Sequence, residues 1–136
     1  MFSKLRCVSK DEDVIKLINE TVKKYGKLDV LVNNAAILGS MNLPLAETTN
    51  KNFEQVFGIN VIGTCWGMKY AIQAMLKTGG GSIVNVSSIA GLKGVPFASP
   101  YSASKHAVIR LTKSTAIEYA TKGIRVNVVA PGPIRT

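Results

Sequence analysis

The stretch LDVLVNNAA, residues 28–36, decides the fold that this sequence predicts. It is a short run rich in Val and Leu, bounded by Gly26 and by the pair Asn33 and Asn34, and it predicts a strand buried on both faces. Just before it, apolar residues recur at helical spacing from residue 11 to about residue 25 and predict an amphipathic helix that stops at Gly26. A helix therefore leads into a buried strand.

Helices and strands continue to alternate along the chain. A long helix is predicted from about residue 50 to residue 77, and the glycines at 79–81 end it. SIVNVSS at 82–88 and RVNVVAP at 125–131 read as strands, with a helix over about 100–121 between them. This alternation predicts an α/β protein whose parallel strands are joined by helical crossovers that cover both faces of the sheet.

Polar residues and glycine lie at the carboxyl ends of the three predicted strands. In parallel sheets, ligands bind outside these ends. The residues concerned are Asn33 and Asn34, Ser87 and Ser88, and Pro131 and Gly132. We therefore expect a ligand site at this edge of the sheet.

The run YSASK, residues 101–105, places a phenol and an ammonium one turn apart on the third predicted helix. Tyr101 and Lys105 then share one helical face, so both groups can act on the same small volume. A neighbouring cation lowers the pKa of a phenol from its usual value of about 10, which prepares the phenol to exchange a proton with a substrate oxygen. The alternative is a half-buried tyrosine beside a solvated lysine.

Composition narrows the class of protein. With 46% apolar and 18% charged residues in 136, the chain fits one globular domain. Cys7 and Cys65 lie far apart, in neither a metal-binding nor a disulfide spacing, so we expect no metal site and a reducing cytoplasm. The sequence lacks the apolar core of a signal peptide and the run of about 18 apolar residues that a membrane span needs, so neither secretion nor membrane insertion is expected.

A formal net charge of +9 suggests nucleic-acid binding, because a basic face attracts phosphates. The cations are scattered, however. Lys23, Lys24 and Lys27 form the densest group, and no basic run is interleaved with aromatic residues. We therefore expect no nucleic-acid partner, and a basic binder is the third hypothesis for function.

Six features in a fixed order resemble the short-chain dehydrogenase/reductase family. They are NNAA at 33–36, Asn60 within the long helix, Ser88 after a strand, Tyr101 thirteen residues later, Lys105, and PGPIRT at 131–136. Six coincident motifs are far more specific than any one of them. The resemblance implies a partial Rossmann-like, doubly wound parallel sheet, and an oxidoreductase that transfers hydride between NAD(P)(H) and an alcohol or ketone.

The resemblance implies a role for each catalytic candidate. Tyr101 would be the acid/base, and Lys105 would lower the Tyr101 pKa and hydrogen-bond the nicotinamide ribose. Ser88 would hydrogen-bond the substrate oxygen, and the alternative for it is a loop serine that caps its own backbone. Asn60 would disrupt its helix and help to hold a water that links Lys105 to solvent, whereas the alternative is an exposed asparagine on the polar face.

The residues that would bind NAD or NADP follow from the same resemblance. They are Asn33, Ala35, Tyr101, Lys105, Pro131, Gly132, Ile134 and Thr136. The first two would stabilise the sheet and line the cofactor cleft. Pro131 and Gly132 would turn the chain beneath the nicotinamide, and the Ile134 backbone and Thr136 would contact its carboxamide.

Two parts of the family pattern are missing from this sequence. One is the glycine-rich turn T-G-x-x-x-G-x-G, whose backbone donors approach the cofactor pyrophosphate. The other is the lid that selects the substrate. We therefore expect residues 1–136 to form a single incomplete domain, from which neither the substrate nor the choice between NAD and NADP is readable.

The missing parts also bear on association. The strand at 29–34 would lack a neighbour and expose an apolar edge. A catalytically inactive remnant, acting at most as an interaction module, is therefore the alternative function. In full-length relatives the helices at 50–77 and 100–121 are implied to form homo-oligomer contacts.

Overall fold

A computed structural model describes residues 7–134, which form four α-helices and three β-strands. In chain order these are α1 (Asp11–Tyr25), β1 (Val30–Asn33), α2 (Asn50–Phe57), α3 (Gly63–Met75), β2 (Gly81–Val86), α4 (Ser99–Tyr119) and β3 (Ile124–Val129). Short 3₁₀ turns lie at Leu45–Glu47, Leu76–Thr78, Ile89–Gly91 and Ala120–Lys122. The predicted order of helices and strands is confirmed.

Local sequence explains where α1 begins and ends. Three consecutive acidic residues, starting at Asp11, occupy its first turn, where the helix dipole favours negative charge. At the other end Gly26 adopts a φ of +83° and donates its N–H to the Val22 carbonyl at 2.7 Å, which stops the helix. Val14 and Ile18 are buried, so α1 presents one apolar face to the core.

The three strands form one parallel sheet in the order β1-β2-β3. Asn33 of β1 pairs in register with Asn85 of β2, and Asn85 pairs in turn with Val128 of β3. The carboxyl ends of the strands therefore meet at one edge, where the sequence predicts the ligand site.

Within residues 7–134, helices cover one face of this sheet. On that face Ile83 and Asn85 are 0% exposed, whereas on the other face Val30 and Val32 are 57% and 56% exposed. Each strand lies beside the one before it, so successive right-handed crossovers return on the same side. The expected cover on both faces is absent from the described residues, and the prediction that the first strand is buried on both faces is wrong.

The core lies between the covered face of the sheet and helices α1 and α3. Its buried cluster consists of Ile18, Leu28, Met68, Ala71, Ile72, Met75, Ile83, Ile124 and Val126. Helix α3 contributes four of these residues because they recur at helical spacing and fall on one face. Among residues 7–134, none of the helices is long and apolar enough to cross a membrane.

The long helix predicted over residues 50–77 is divided. The Thr49 hydroxyl accepts a hydrogen bond from the Asn52 N–H at 3.2 Å and caps the start of α2. After α2, residues Gly58–Ile62 form a π-helical turn, and α3 follows directly. Asn60 lies at the centre of this turn. Such turns inside helices are frequent at functional sites.

The exposed valines and the outer edge of β1, which is free within residues 7–134, predict that this chain associates with itself. Within the described residues β1 pairs with β2 alone, so its outer edge is free. Replacing both Val30 and Val32 by lysine should weaken association, because charge blunts an apolar strand edge and interrupts an apolar patch. Sedimentation velocity over a range of protein concentrations measures the effect.

Ile117→Lys is the control, since it also places a lysine at an exposed apolar position, here on α4, where Ile117 is 81% exposed. A wild-type chain that is monomeric and melts cooperatively would contradict this prediction. An assembly that dissolves with Ile117→Lys but survives the double valine substitution would also contradict it, because the contact would then lie on α4.

Candidate active site

The first two turns of α4 bring Tyr101 and Lys105 together. Pro100 is the second residue of the helix, where the missing N–H of proline costs no helical hydrogen bond. The Lys105 Nζ lies 5.7 Å from the centroid of the Tyr101 ring, within the range of a cation–π interaction. The shared helical face that the YSASK spacing predicts is therefore present.

Lys105 is a buried side chain, so the alternative of a solvated lysine is wrong. The residue is 3% exposed, and its Nζ donates a hydrogen bond to the Val86 carbonyl oxygen at 2.9 Å. Burial lowers the pKa of the Lys105 ammonium from its usual 10.5, because desolvation disfavours the charged form. The bond from α4 to the last residue of β2 places the ammonium at the carboxyl edge of the sheet.

Two adjacent serines follow β2 and have different surroundings. Ser87 is 4% exposed, and its hydroxyl donates to the Lys105 carbonyl oxygen at 2.8 Å. Ser88 is partly exposed, and its Oγ accepts a hydrogen bond from the Ala90 N–H at 3.2 Å. The capping contact given above as the alternative for Ser88 is therefore made. A hydroxyl that accepts through a lone pair keeps its own proton for donation, so capping leaves Ser88 able to bind a substrate oxygen.

Gly91 allows this part of the site to close. A Cβ at this position would lie 2.5 Å from the Ser87 Oγ and 2.7 Å from the Lys105 carbonyl oxygen. The absence of a side chain therefore lets the turn after Ser88 pack directly on the backbone of α4. Ser87 and Gly91 hold the helix that carries Lys105 against the end of β2.

Asn60 is 1% exposed, so the alternative of an exposed asparagine is wrong. Its Oδ1 accepts from the Ile37 N–H at 2.8 Å, and its Nδ2 donates to the Ile37 carbonyl at 2.9 Å. The same Nδ2 donates to the Ser104 hydroxyl at 3.0 Å. Asn60 thus joins the π-helical turn to the loop after β1 and to α4.

Asn33 is half-buried and belongs to a second set of hydrogen-bonded amides. Its Nδ2 donates to the Asn85 Oδ1 at 2.8 Å, and the Asn85 Nδ2 donates to the Thr112 hydroxyl at 2.9 Å. These bonds connect β1, β2 and α4 across the sheet. Because the Asn33 amide nitrogen is committed to Asn85, Asn33 acts in this structure as a strand-to-strand contact.

The remaining cofactor candidates lie at the same edge and are exposed. The Ser87 N–H donates to the Val129 carbonyl at 2.8 Å and the Ile89 N–H donates to the Pro131 carbonyl at 3.0 Å, so β3 and the residues after it run beside Ser88. The exposed candidates are Ala35, Pro131, Gly132 and Ile134. Thr136 lies outside the described residues.

Sequence reasoning missed Asn85, Ser104 and Thr112. Asn85 leaves a signal in the sequence, because it is a polar residue inside the otherwise apolar strand SIVNV. Its partner Asn33 ends the previous strand, and the register of parallel strands places the two side by side. The two residues of α4, Ser104 and Thr112, leave no comparable signal, since Ser and Thr are common on helix surfaces.

Known proteins share this sequence pattern. The family model described as short chain dehydrogenase matches residues 6–136. A 2,5-dichloro-2,5-cyclohexadiene-1,4-diol dehydrogenase from Sphingobium indicum is 47% identical over 133 residues, which cover 96% of this chain and 53% of that protein. A cyclohexanol dehydrogenase from Acinetobacter sp. is 43% identical over 125 residues, covering 92% of this chain and 49% of that protein.

Solved structures share the arrangement of helices and strands. ElxO with NADP bound has a TM-score of 0.90 and 49% identity, covering 94% of this chain and 51% of that chain. NAD+-bound xylitol dehydrogenase has a TM-score of 0.91 and 36% identity, covering 95% of this chain and 49% of that chain. The partial Rossmann-like sheet is therefore confirmed. The chain spans about half the length of the relatives that it matches.

The Asn33 amide lies against α3 at Gly67, where there is no room for a side chain, and Gly67→Ala tests this contact. A Cβ there would overlap the Asn33 side chain, so we expect the free energy of unfolding to fall by about 1–3 kcal/mol. Urea denaturation measures it. Gly58→Ala is the matched control, because its nearest contact would be the Ser9 Cβ at 3.9 Å and alanine raises helix propensity by about 1 kcal/mol. Equal losses in both variants would show that the Asn33 contact is not the cause.

The lowered pKa of Lys105 predicts a pH dependence of stability. Between the lowered folded value and the unfolded value of 10.5, the unfolded chain binds more protons at this site. The free energy of unfolding of the wild type, relative to Lys105→Met, should therefore rise with pH across this window. Denaturation of both proteins at several alkaline pH values measures the difference. Lys113→Met, which removes an exposed lysine of the same helix, should show no such trend.

Proposed function

Because the chain belongs to the short-chain dehydrogenase family, we propose that it carries the catalytic centre of a nicotinamide-dependent oxidoreductase of alcohols and ketones. The observation that carries this proposal is the position of Lys105. Its buried ammonium is bonded to the Val86 carbonyl at the edge of the sheet and lies over the ring of Tyr101. On a solvated helix face, a lysine at the same spacing from a tyrosine would be neither buried nor hydrogen-bonded to the sheet.

In this proposal Tyr101 moves the proton. During reduction its phenol donates a proton to the substrate carbonyl oxygen, and during oxidation its phenolate accepts the proton of the alcohol. The chemistry that a nicotinamide would supply when bound is the transfer of a hydride to or from the substrate carbon. The Lys105 ammonium stabilises the negative charge that appears on Tyr101, and the Ser88 hydroxyl donates to the substrate oxygen as charge develops there.

Asn60 has a supporting part in the same proposal. Both hydrogens of its amide are committed, to the Ile37 carbonyl and to Ser104. A water that relays protons from Lys105 to solvent would therefore have to donate to an acceptor here, either a main-chain carbonyl of the π-helical turn or the second lone pair of the Asn60 Oδ1.

The residues present fit one end of a dinucleotide. Pro131 lies beside the turn after Ser88, and the exposed residues Gly132 and Ile134 that follow it would offer backbone groups to a nicotinamide, while Lys105 would offer a donor to its ribose. Asn33 and Ala35 would contribute backbone groups. Thr136, two residues after Ile134 in the sequence, would contact the carboxamide of the nicotinamide. Within residues 7–134 no strand leads through a glycine-rich turn into a helix N-terminus, so the described residues lack the usual cradle for a pyrophosphate.

The proposed ligands are NAD or NADP and a small alcohol or ketone. ElxO holds NADP and xylitol dehydrogenase holds NAD+, so the proposal covers both cofactors. The names of the two relatives, a diol dehydrogenase and a cyclohexanol dehydrogenase, support an alcohol as substrate. We further propose a cytoplasmic location, which the two free cysteines suit, and no nucleic-acid partner.

The alternative is an inactive interaction module, and the helical surface favours it as a second candidate. A groove of about 340 Å³ runs between α3 and α4, and its lining includes Trp66, Leu111 and Tyr119. An aromatic and aliphatic groove of this kind suits contact with another protein subunit. It is also consistent with a homo-oligomer of the longer relatives.

Titration with NADH and NADPH, followed by turnover assays, separates the two functions. We expect cofactor binding in the wild type and in Tyr101→Phe, with turnover in Tyr101→Phe lower by about 10²–10⁴-fold, because the acid/base group is lost. Tyr25→Phe, at the exposed end of α1, is the matched control and should keep wild-type turnover.

Two outcomes of this experiment would count against the proposal. Equal turnover in the wild type and Tyr101→Phe would refute the proposed role of Tyr101. An absence of both cofactor binding and turnover would favour the interaction module for a chain of this length.

A further inference from the structure

Ser104 lies inside the YSASK run, between the two residues of the proposed catalytic pair. It is 0% exposed. Its hydroxyl donates to the Tyr101 carbonyl oxygen at 2.7 Å and accepts from the Asn60 Nδ2 at 3.0 Å. Neither the sequence pattern nor the proposed mechanism uses this residue.

The direction of these hydrogen bonds is determined by counting donors. A serine hydroxyl has one hydrogen, and the Tyr101 carbonyl can only accept, so the Ser104 hydrogen goes to Tyr101. The Asn60 amide has two hydrogens, which go to the Ile37 carbonyl and to Ser104. The chain of bonds therefore runs from the π-helical turn, through Ser104, to the backbone of the turn that carries Tyr101.

We propose that Ser104 is a positioning residue that couples Asn60 to the helical turn carrying Tyr101. The proposal rests on the oxidoreductase function given above. The Tyr101 side chain is half-buried, and its contact with Lys105 is through the ring face, so the placement of the phenol depends on the backbone of its turn. Proton transfer needs the phenol within about 2.6–3.2 Å of the substrate oxygen, which makes that placement matter.

Removing the hydroxyl has two effects. In Ser104→Ala one hydrogen of the buried Asn60 amide loses its acceptor, and the Tyr101 carbonyl loses a donor. The π-helical turn and the first turns of α4 are then no longer joined at this point. The Tyr101 ring should shift, whereas the tyrosines elsewhere in the chain should not.

The test is fluorine NMR of the full chain labelled with 3-fluorotyrosine, which has four tyrosines and so four signals. Tyr101→Phe assigns the Tyr101 signal. Ser104→Ala should move or broaden that signal alone, and Ser104→Thr, which keeps a hydroxyl able to bond a preceding carbonyl, should retain the wild-type position. Ser114→Ala is the matched control, since Ser114 is exposed on the same helix.

An unchanged Tyr101 signal in folded Ser104→Ala would overturn the proposal. So would the loss of dispersion at all four signals in that variant, because Ser104 would then serve general stability. A Ser104→Thr spectrum that matches Ser104→Ala would overturn it as well, since the hydroxyl would not be the relevant group.

This measurement uses neither cofactor nor turnover, so it is independent of the proposed function. A shifted Tyr101 signal in a chain without dehydrogenase activity would refute the function and leave the coupling intact. In a chain with activity, Ser104→Ala should lower kcat by up to about 10²-fold with KM unchanged, because a displaced group loses rate rather than substrate binding.

Discussion

The hydrogen bond from the Lys105 ammonium to the Val86 carbonyl is the interaction on which the candidate site depends. Lys105 is 3% exposed, and a buried cation without a partner would be expensive. A hydrogen bond to a strong acceptor lowers this cost, and the Val86 carbonyl at the end of β2 supplies one at 2.9 Å. This requirement holds α4 in one position on the sheet, so the position of Tyr101 follows from the burial of its neighbour.

Buried polar groups, rather than apolar packing, define the carboxyl edge of the sheet. Asn33 and Asn85 connect the strands, Asn60 connects a loop to α4, and Ser87 connects the end of β2 to the same helix. Removing any of these groups from water without its hydrogen-bond partner would lower the stability of the fold, so together they favour one arrangement of the edge. Gly67 and Gly91 make room for these contacts, because a side chain at position 67 would overlap the Asn33 amide and one at position 91 would overlap the Ser87 hydroxyl.

Much of the fold was predictable from local patterns. The limits of α1, the order of helices and strands, and the pairing of Tyr101 with Lys105 all depend on residues close together in the sequence. The exposure of Val30 and Val32 was not predictable in the same way. A run of alternate valines reads as buried whether or not a second layer of helices covers it, and the strand order that decides this is a property of the whole sheet.

The sequence by itself determined the family to which this protein belongs, because six motifs in a fixed order, among them Tyr101 and Lys105 at helical spacing, are together specific to that family. Only the tertiary structure decided how these groups are held. It buried Lys105, divided the long helix with a π-helical turn at Asn60, and connected that turn to Tyr101 through Ser104. The physical reason is separation along the chain: Asn60 and Ser104 are 44 residues apart, and a hydrogen bond over that distance exists only after the sheet and helices have packed.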